Sequence, residues 1–99
     1  MASSYKYELE DDLELEEPKK YKVFLLNDDF STMDFVIQIL TVVFRKSLEE
    51  SEAIMLDVHN NGKAICGIYT KEIALTKVAQ VKTMARKENF PLKAVAEEE

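Results

Sequence analysis

Asn27, Asp28 and Asp29 stand in a row between two apolar segments, residues 21–26 and 33–44. Polar groups beside a core are costly unless something pairs with them, so the triplet reads either as a turn that starts a helix or as a site. Asn, Asp and Ser side chains bond neighbouring backbone groups, which by itself accounts for residues 27–31 as a turn. The single histidine, His59, follows Met55 by one helical turn, and Met33 and Met55 both fall where they would line a pocket beside polar groups. Each of these also has an ordinary reading: a histidine near a helix end suits the dipole, and methionines at helical spacing fill cores. Together they describe a cavity. Asp28, Asp29 and His59 are also donor types for a divalent metal or for acid–base work, but no nucleophile or second histidine stands at suitable spacing.

Positioning such a site requires elements on both sides of the triplet. Tyr21, Val23 and Leu25 alternate with Lys22, Phe24 and Leu26, which predicts a mostly buried strand. Ser31 with Asp34 resembles a capping box, and Phe35, Val36, Ile39, Leu40 and Val43 form a helical stripe ending at Arg45 and Lys46. Ser47 with Glu50 repeats the capping signal. Leu48, Met55, Leu56 and His59 then share a face until Asn61-Gly62 stops the helix. Residues 63–69 alternate Ile65, Gly67 and Tyr69 with Ala64, Cys66 and Ile68 as a second strand, with Gly67 at a bulge or close approach. Thr70 is positioned to cap a third helix carrying Ile73, Ala74, Val78, Val81 and Ala85, which ends near Asn89 ahead of Pro91. Residues 92–96 read as a short edge strand. The predicted fold is α+β, in the order β-α-α-β-α-β: a three-stranded antiparallel sheet packed on three helices.

At 99 residues with a net charge of −6, the chain supports one domain. Seven carboxylates crowd residues 1–17, a composition that predicts a disordered acidic extension over residues 1–20 and a folded domain over 21–99. No basic cluster offers a phosphate-backbone partner, and no apolar run approaches the ~20 residues of a membrane span. The acidic start is unlike a secretory or transit signal, which predicts a cytoplasmic protein. Cys66, the single cysteine, excludes an internal disulfide and reads as a small buried apolar residue. No cofactor or metal is predicted.

The segments Tyr21-Lys22-Val23, Asn27-Asp28-Asp29, Met33 with Phe35-Val36, Met55 with His59, residues 62–67 and Pro91-Leu92 resemble, in order and spacing, the ClpS adaptor family. The resemblance covers residues 21–96. It implies a non-enzymatic, monomeric adaptor that binds bulky hydrophobic amino-terminal residues (Phe, Tyr, Trp, Leu) of N-degron substrates. The adaptor delivers them to a ClpA- or ClpC-type AAA+ unfoldase for degradation by ClpP. The resemblance further implies that Asn27, Asp29 and His59, supported by Asp28, hold the substrate α-amino group. Leu25, Leu26, Ser31, Met33, Val36, Met55, Val58 and Leu92 would line the side-chain pocket, with Met33 excluding β-branched termini. Glu72 and Lys77 would dock on the amino-terminal domain of the unfoldase, and the acidic extension would engage it during delivery. An interaction module of similar topology, structural or ribosome-associated, is the alternative, and it would ignore free amino termini.

The physical reading agrees with the implied role. An α-amino group, with a reference pKa of about 7.7–8.0, offers charge-assisted donors at neutral pH, and Asn27, Asp29 and neutral His59 each offer an acceptor. The chain departs from the family pattern where Ser31-Thr32 replaces Thr-Pro. Thr32 lacks the fixed φ of proline but can itself cap, which predicts altered stiffness without loss of the turn.

Overall fold

Residues 18–99 are described by the computed structural model, so residues 1–17, which carry most of the predicted acidic extension, lie outside the described residues. The elements follow in the predicted order: β1 (Lys20–Leu26), α1 (Met33–Val42), α2 (Leu48–Asn61), β2 (Lys63–Thr70), α3 (Lys71–Lys87) and β3 (Lys93–Glu98). Lys20 already pairs with Thr70, so the folded unit begins before residue 21.

Strand β1 is the middle of a three-stranded sheet of order β2-β1-β3, antiparallel on both sides. Its alternation works as the sequence indicates, with Val23 and Leu25 fully buried. In β2 the alternation breaks. Val23 pairs with Gly67 but Phe24 pairs with Ile65, so one extra residue, Cys66, sits in β2 as a bulge. Beyond the bulge the phase reverses. Ile68, expected to share a face with Cys66, is exposed together with Ile65, while Tyr69 turns inward against the core. The Tyr69 ring lies across Gly67, where any Cβ would meet its hydroxyl, which explains the glycine. Burial pushes the Cys66 thiol up to about 12, so it is an inert core group.

The helices bury one stripe each. Phe35, Val36, Ile39 and Leu40 of α1 continue into Val43 and Phe44, all buried. Helix α1 nevertheless stops at Val42, because Arg45 takes a left-handed conformation (φ 58°) rather than extending the helix. Its final turn therefore carries no cation. Ser47 and Glu50 form the predicted capping box of α2. The buried face of α2 is Ser51, Met55 and Val58, whereas Leu48 and Leu56, expected beside Met55, are exposed. Helix α3 packs Ala74, Val81 and Ala85 inward, small residues that permit close approach to the sheet, while Ile73 remains exposed. Thr70 precedes α3 without a side-chain capping bond. The helix ends at Lys87, and the left-handed Asn89 (φ 62°) turns the chain toward Phe90, whose ring meets Phe35 at 4.9 Å between centroids.

Two short connections place the polar triplet. Asp28 Oδ1 accepts from the backbone N–H of Phe30 at 2.8 Å and of Ser31 at 2.7 Å, folding residues 28–31 into a tight Asx turn. Thr32, not Ser31, then caps α1, its hydroxyl accepting from Phe35 N–H at 3.1 Å. Helix α2 ends on Gly62 (φ 90°, ψ −26°), whose N–H donates to Val58 O at 2.9 Å. The Gly62 carbonyl in turn accepts from Asn27 N–H at 2.9 Å.

Gly62→Ala should destabilise the domain by about 1–2 kcal/mol, from backbone strain alone, since a Cβ there meets nothing. Gly62→Asn should cost less, because Asn tolerates the left-handed region; equal losses in denaturant titrations would contradict this origin. Partial burial pushes the Asp28 carboxyl up, but the Ser31 amide, the nearby Ser31 hydroxyl and the Phe30 amide together hold it below the usual carboxylate range. Its stabilisation is therefore present above the unfolded value of about 3.9 and lost as pH falls through the lower folded value. The stability gap between the wild type and Asp28→Asn should be constant from pH 5 to 7 and close below pH 4. A gap that does not change with pH would show that Asp28 is not ionised in the turn.

Candidate functional site

The end of β1, the Asx turn, the first turn of α1 and the last two turns of α2 surround one cavity of about 230 Å³. For scale, a cavity of about 150 Å³ accommodates benzene, so this one has room for a single large side chain. Asn27, Asp28, Asp29 and His59 contribute its polar lining, and Ser31, Met33, Val36, Met55 and Val58 the remainder. A smaller recess of about 20 Å³ shares Asn27, Asp28, Ser31, Val36 and Val58 with it and adds Leu26 and Leu92.

Each lining residue owes its position to a local rule. Asn27 is the first residue beyond the β1 ladder and is tethered to Gly62. His59 sits three residues before that same glycine, in the last turn of α2, where the carbonyl end of the helix dipole also favours a cation. Val36 belongs to the buried stripe of α1, and Met55 and Val58 to that of α2. Met33, the first residue of α1, is 54% exposed, so it is not the core filler that its spacing alone suggests. Met55, at 8% exposed, is.

Of the residues implied for the α-amino site and the side-chain pocket, the two cavities bring together all but one. Leu25 is the exception: it points from β1 into the core, is completely buried and lines neither cavity. The alternation of β1 explains this, because Leu25 and Leu26 must face opposite ways. Asp28 differs from its neighbours in role. Its Oδ1 is committed to the turn, whereas Asn27 and Asp29 are exposed and make no side-chain bond among the described residues. Among the described residues no group of three or more His, Cys, Asp or Glu side chains is arranged to hold a metal ion. What sequence reading missed is the tether: nothing in the sequence marks the Asn27 amide and the Gly62 carbonyl as partners.

Glu72 and Lys77 lie on α3, away from the cavity. Glu72 is exposed in its first turn. Lys77 is half-buried, its ammonium donating to Val43 O at 2.7 Å and lying 5.7 Å from the Tyr69 ring centroid. Lys77 therefore ties α3 to the end of α1.

Residues 16–95 match the family model described as ATP-dependent Clp protease adaptor protein ClpS. An adapter protein ClpS of Wolinella succinogenes is 48% identical over 97 residues, covering 98% of this chain and 95% of that one. Its counterpart in Campylobacter jejuni strain RM1221 is 58% identical over 85 residues, covering 86% and 88%. Among solved structures, Agrobacterium tumefaciens ClpS2 bound to L-phenylalaninamide superposes with a TM-score of 0.82 at 36% identity, covering 84% of this chain and all of that one. Among the described residues no helix is long and apolar enough to cross a membrane. With a match across nearly all of the described fold, the chain belongs to the ClpS family, the non-catalytic adaptors of the ATP-dependent Clp protease.

Proposed function

We propose that this adaptor binds free amino termini bearing Phe, Tyr, Trp or Leu and delivers those N-degron substrates to a ClpA- or ClpC-type unfoldase. The observation that carries the reading is the cavity itself, polar at Asn27, Asp29 and His59 and apolar along Met33, Val36, Met55 and Val58. An amino-terminal residue is the one peptide feature that presents an ammonium and an apolar side chain on the same carbon. Phenylalaninamide, the ligand of the A. tumefaciens relative, has that chemistry. A lysine side chain also offers an ammonium, but its nearest apolar neighbour is its own stem.

The roles follow from donor and acceptor inventory. The ammonium brings three donors; Asn27 Oδ1, an Asp29 carboxylate oxygen and one His59 ring nitrogen are acceptors. Asp28 holds the turn that aims them, and its second oxygen adds negative potential. Met33, half exposed at the cavity, sets which side chains enter. Termini with two heavy atoms on Cβ are stiff at χ1 and meet its side chain. On α3, Glu72 contributes to unfoldase docking directly, whereas Lys77 contributes by fixing the α3 surface, since its ammonium is already engaged. The acidic residues 1–17 serve handover rather than substrate binding.

Peptides differing only in their first residue, with free or acetylated amino groups, test the site by calorimetry or fluorescence anisotropy. Free Phe, Tyr, Trp and Leu termini should bind and acetylated ones should not; equal affinities would sink the reading. Asn27→Ala and Asp29→Ala should each weaken binding by about 1.5–3 kcal/mol, the worth of a hydrogen bond to a charged group. Met33→Ala should raise affinity for Val and Ile termini while leaving Phe within about 1 kcal/mol, the scale of a lost rim contact. An unchanged Phe-to-Ile ratio in the folded variant would make Met33 a packing residue only.

A further inference from the structure

The net charge of −6 is unevenly placed. Residues 1–17 hold seven carboxylates and one lysine, so residues 18–99 carry as many cations as carboxylates. On the folded part, one groove gathers cations alone. It lies between the second half of α3 and the start of β3, has a volume of about 360 Å³, and is rimmed by Lys82, Arg86 and Lys93 with no carboxylate in its lining. All three cations are exposed, and none forms an ion pair among the described residues. The floor is apolar, chiefly Val78, Ala85, Phe90 and Leu92. Lys82 and Arg86 stand four positions apart on α3 and so project to the same side. Asn27, Asp29, His59 and Glu72 take no part in the groove, which the adaptor reading leaves unused.

A ligand for such a groove combines carboxylates and apolar side chains at close spacing, and the chain itself contains one. Tyr5, Tyr7 and Leu9 alternate with Lys6, Glu8 and Glu10, and Asp11 and Asp12 follow. In an extended segment successive side chains face opposite ways, which separates a tyrosine and leucine side for the floor from an acidic side for the rim. The length suffices. Pro18 lies beside Lys71 and Glu72 at the start of α3, and the helix rises about 22 Å from Lys71 to Arg86 at 1.5 Å per residue. Residues 10–17 reach about 26 Å when extended. Exposed ion pairs are individually weak, but a tether holds the segment at an effective concentration of millimolar order, and apolar contact adds to it. We propose that the groove between α3 and β3 is the docking site for residues 5–12 of the same chain, with Tyr7 and Leu9 on the apolar floor and the carboxylates toward Lys82, Arg86 and Lys93. On the adaptor reading, which the docking does not itself require, the handover segment is thereby held next to the substrate cavity, because Leu92 borders both the groove and the recess.

The test uses the full chain, enriched in 15N, with a nitroxide attached at Ser4→Cys. Cys66 is buried, and its thiol is pushed up to about 12, so the label goes to the new cysteine alone. Amide signals of Ala85, Arg86, Phe90 and Lys93 should lose more intensity than those of Lys71 and Glu72, beside which the segment is anchored. An undocked segment gives the reverse order or an even loss, and either overturns the proposal. In about 0.5 M NaCl, where the Debye length falls to about 4 Å, the loss at the groove should diminish. Replacing both rim cations of α3, Lys82→Glu with Arg86→Glu, should abolish it, with folding checked by unchanged amide shifts on β1 and α2. A loss that persists in the folded double variant, or that is indifferent to salt in the wild type, overturns the charge pairing and with it the proposal. Mixing enriched, unlabelled chain with labelled, unenriched chain should give no loss; a loss at the groove in that mixture assigns it to a second copy and overturns docking within one chain. These spectra need neither peptide nor unfoldase, so the docking fails or stands separately from the adaptor reading.

Discussion

The hydrogen bond from Asn27 N–H to the Gly62 carbonyl is the constraint on which the site depends. It joins the first residue after β1 to the residue that ends α2. Gly62 performs two functions in one position. Its left-handed conformation stops α2 and closes the helix through Val58 O, and its carbonyl holds the acidic triplet. No loop intervenes, because Lys63 is already paired with Leu26 in the sheet. The separation between Asn27 and His59 is therefore set by one hydrogen bond and less than one helical turn. Rigid elements hold functional groups more accurately than loops do, and here the polar groups project from element ends.

The same economy explains why polar side chains survive beside a core as small as this one. The helices cover one face of a three-stranded sheet. Val23, Leu25, Ile39, Leu40 and Val81 fill the centre completely. At the margin of that layer, Asp28 satisfies two backbone donors that a tight turn would otherwise leave exposed, and Thr32 satisfies a third at the start of α1. An acidic side chain there lowers the cost of ending the strand and starting the helix within a few residues. The adjacent carboxylates are disposed differently, Asp28 facing the backbone and Asp29 left exposed.

Much of this was legible in the sequence where a rule depends on a residue and its near neighbours. The alternation of β1, the Ser47–Glu50 box and the glycine stop at 62 all rest on contacts within four positions, and all three stand in the structure. The errors lie where tertiary context decides. Ser31 and Thr32 are both competent caps; the Ser31 amide is drawn into the Asx turn at Asp28, and it is the Thr32 hydroxyl that accepts from Phe35 N–H. Arg45 left the helix for a left-handed turn although nothing local forbids another helical residue there. Alternation alone puts Ile68 on the face of Cys66, and the structure does not, because a bulge changes the phase of a strand while leaving its composition untouched. Leu25 is the instructive case. The family resemblance put it in the pocket with Leu26, yet a strand cannot turn two successive side chains to the same side. Most of the cavity lining was legible through that resemblance, since the residues come from separate elements and no spacing rule joins them.

On the proposed function, recognition here requires no reacting group, and the layout reflects that. A catalytic site brings titratable groups together so that each perturbs the other; at this cavity Asp28, held below the usual carboxylate range, owes that to the turn it shapes. The acceptors for an ammonium need only be fixed in place and partly open to water, which Asn27, Asp29 and His59 are. Apolar selection is carried on a different part of the wall, and half of Met33 is exposed where Met55 is packed. A thioether on an unbranched stem reshapes easily. Substitutions at Met33 can therefore alter which side chains enter without disturbing the tethered groups that read the amine. Charge recognition is anchored to the backbone, and side-chain preference is left to the more adaptable wall.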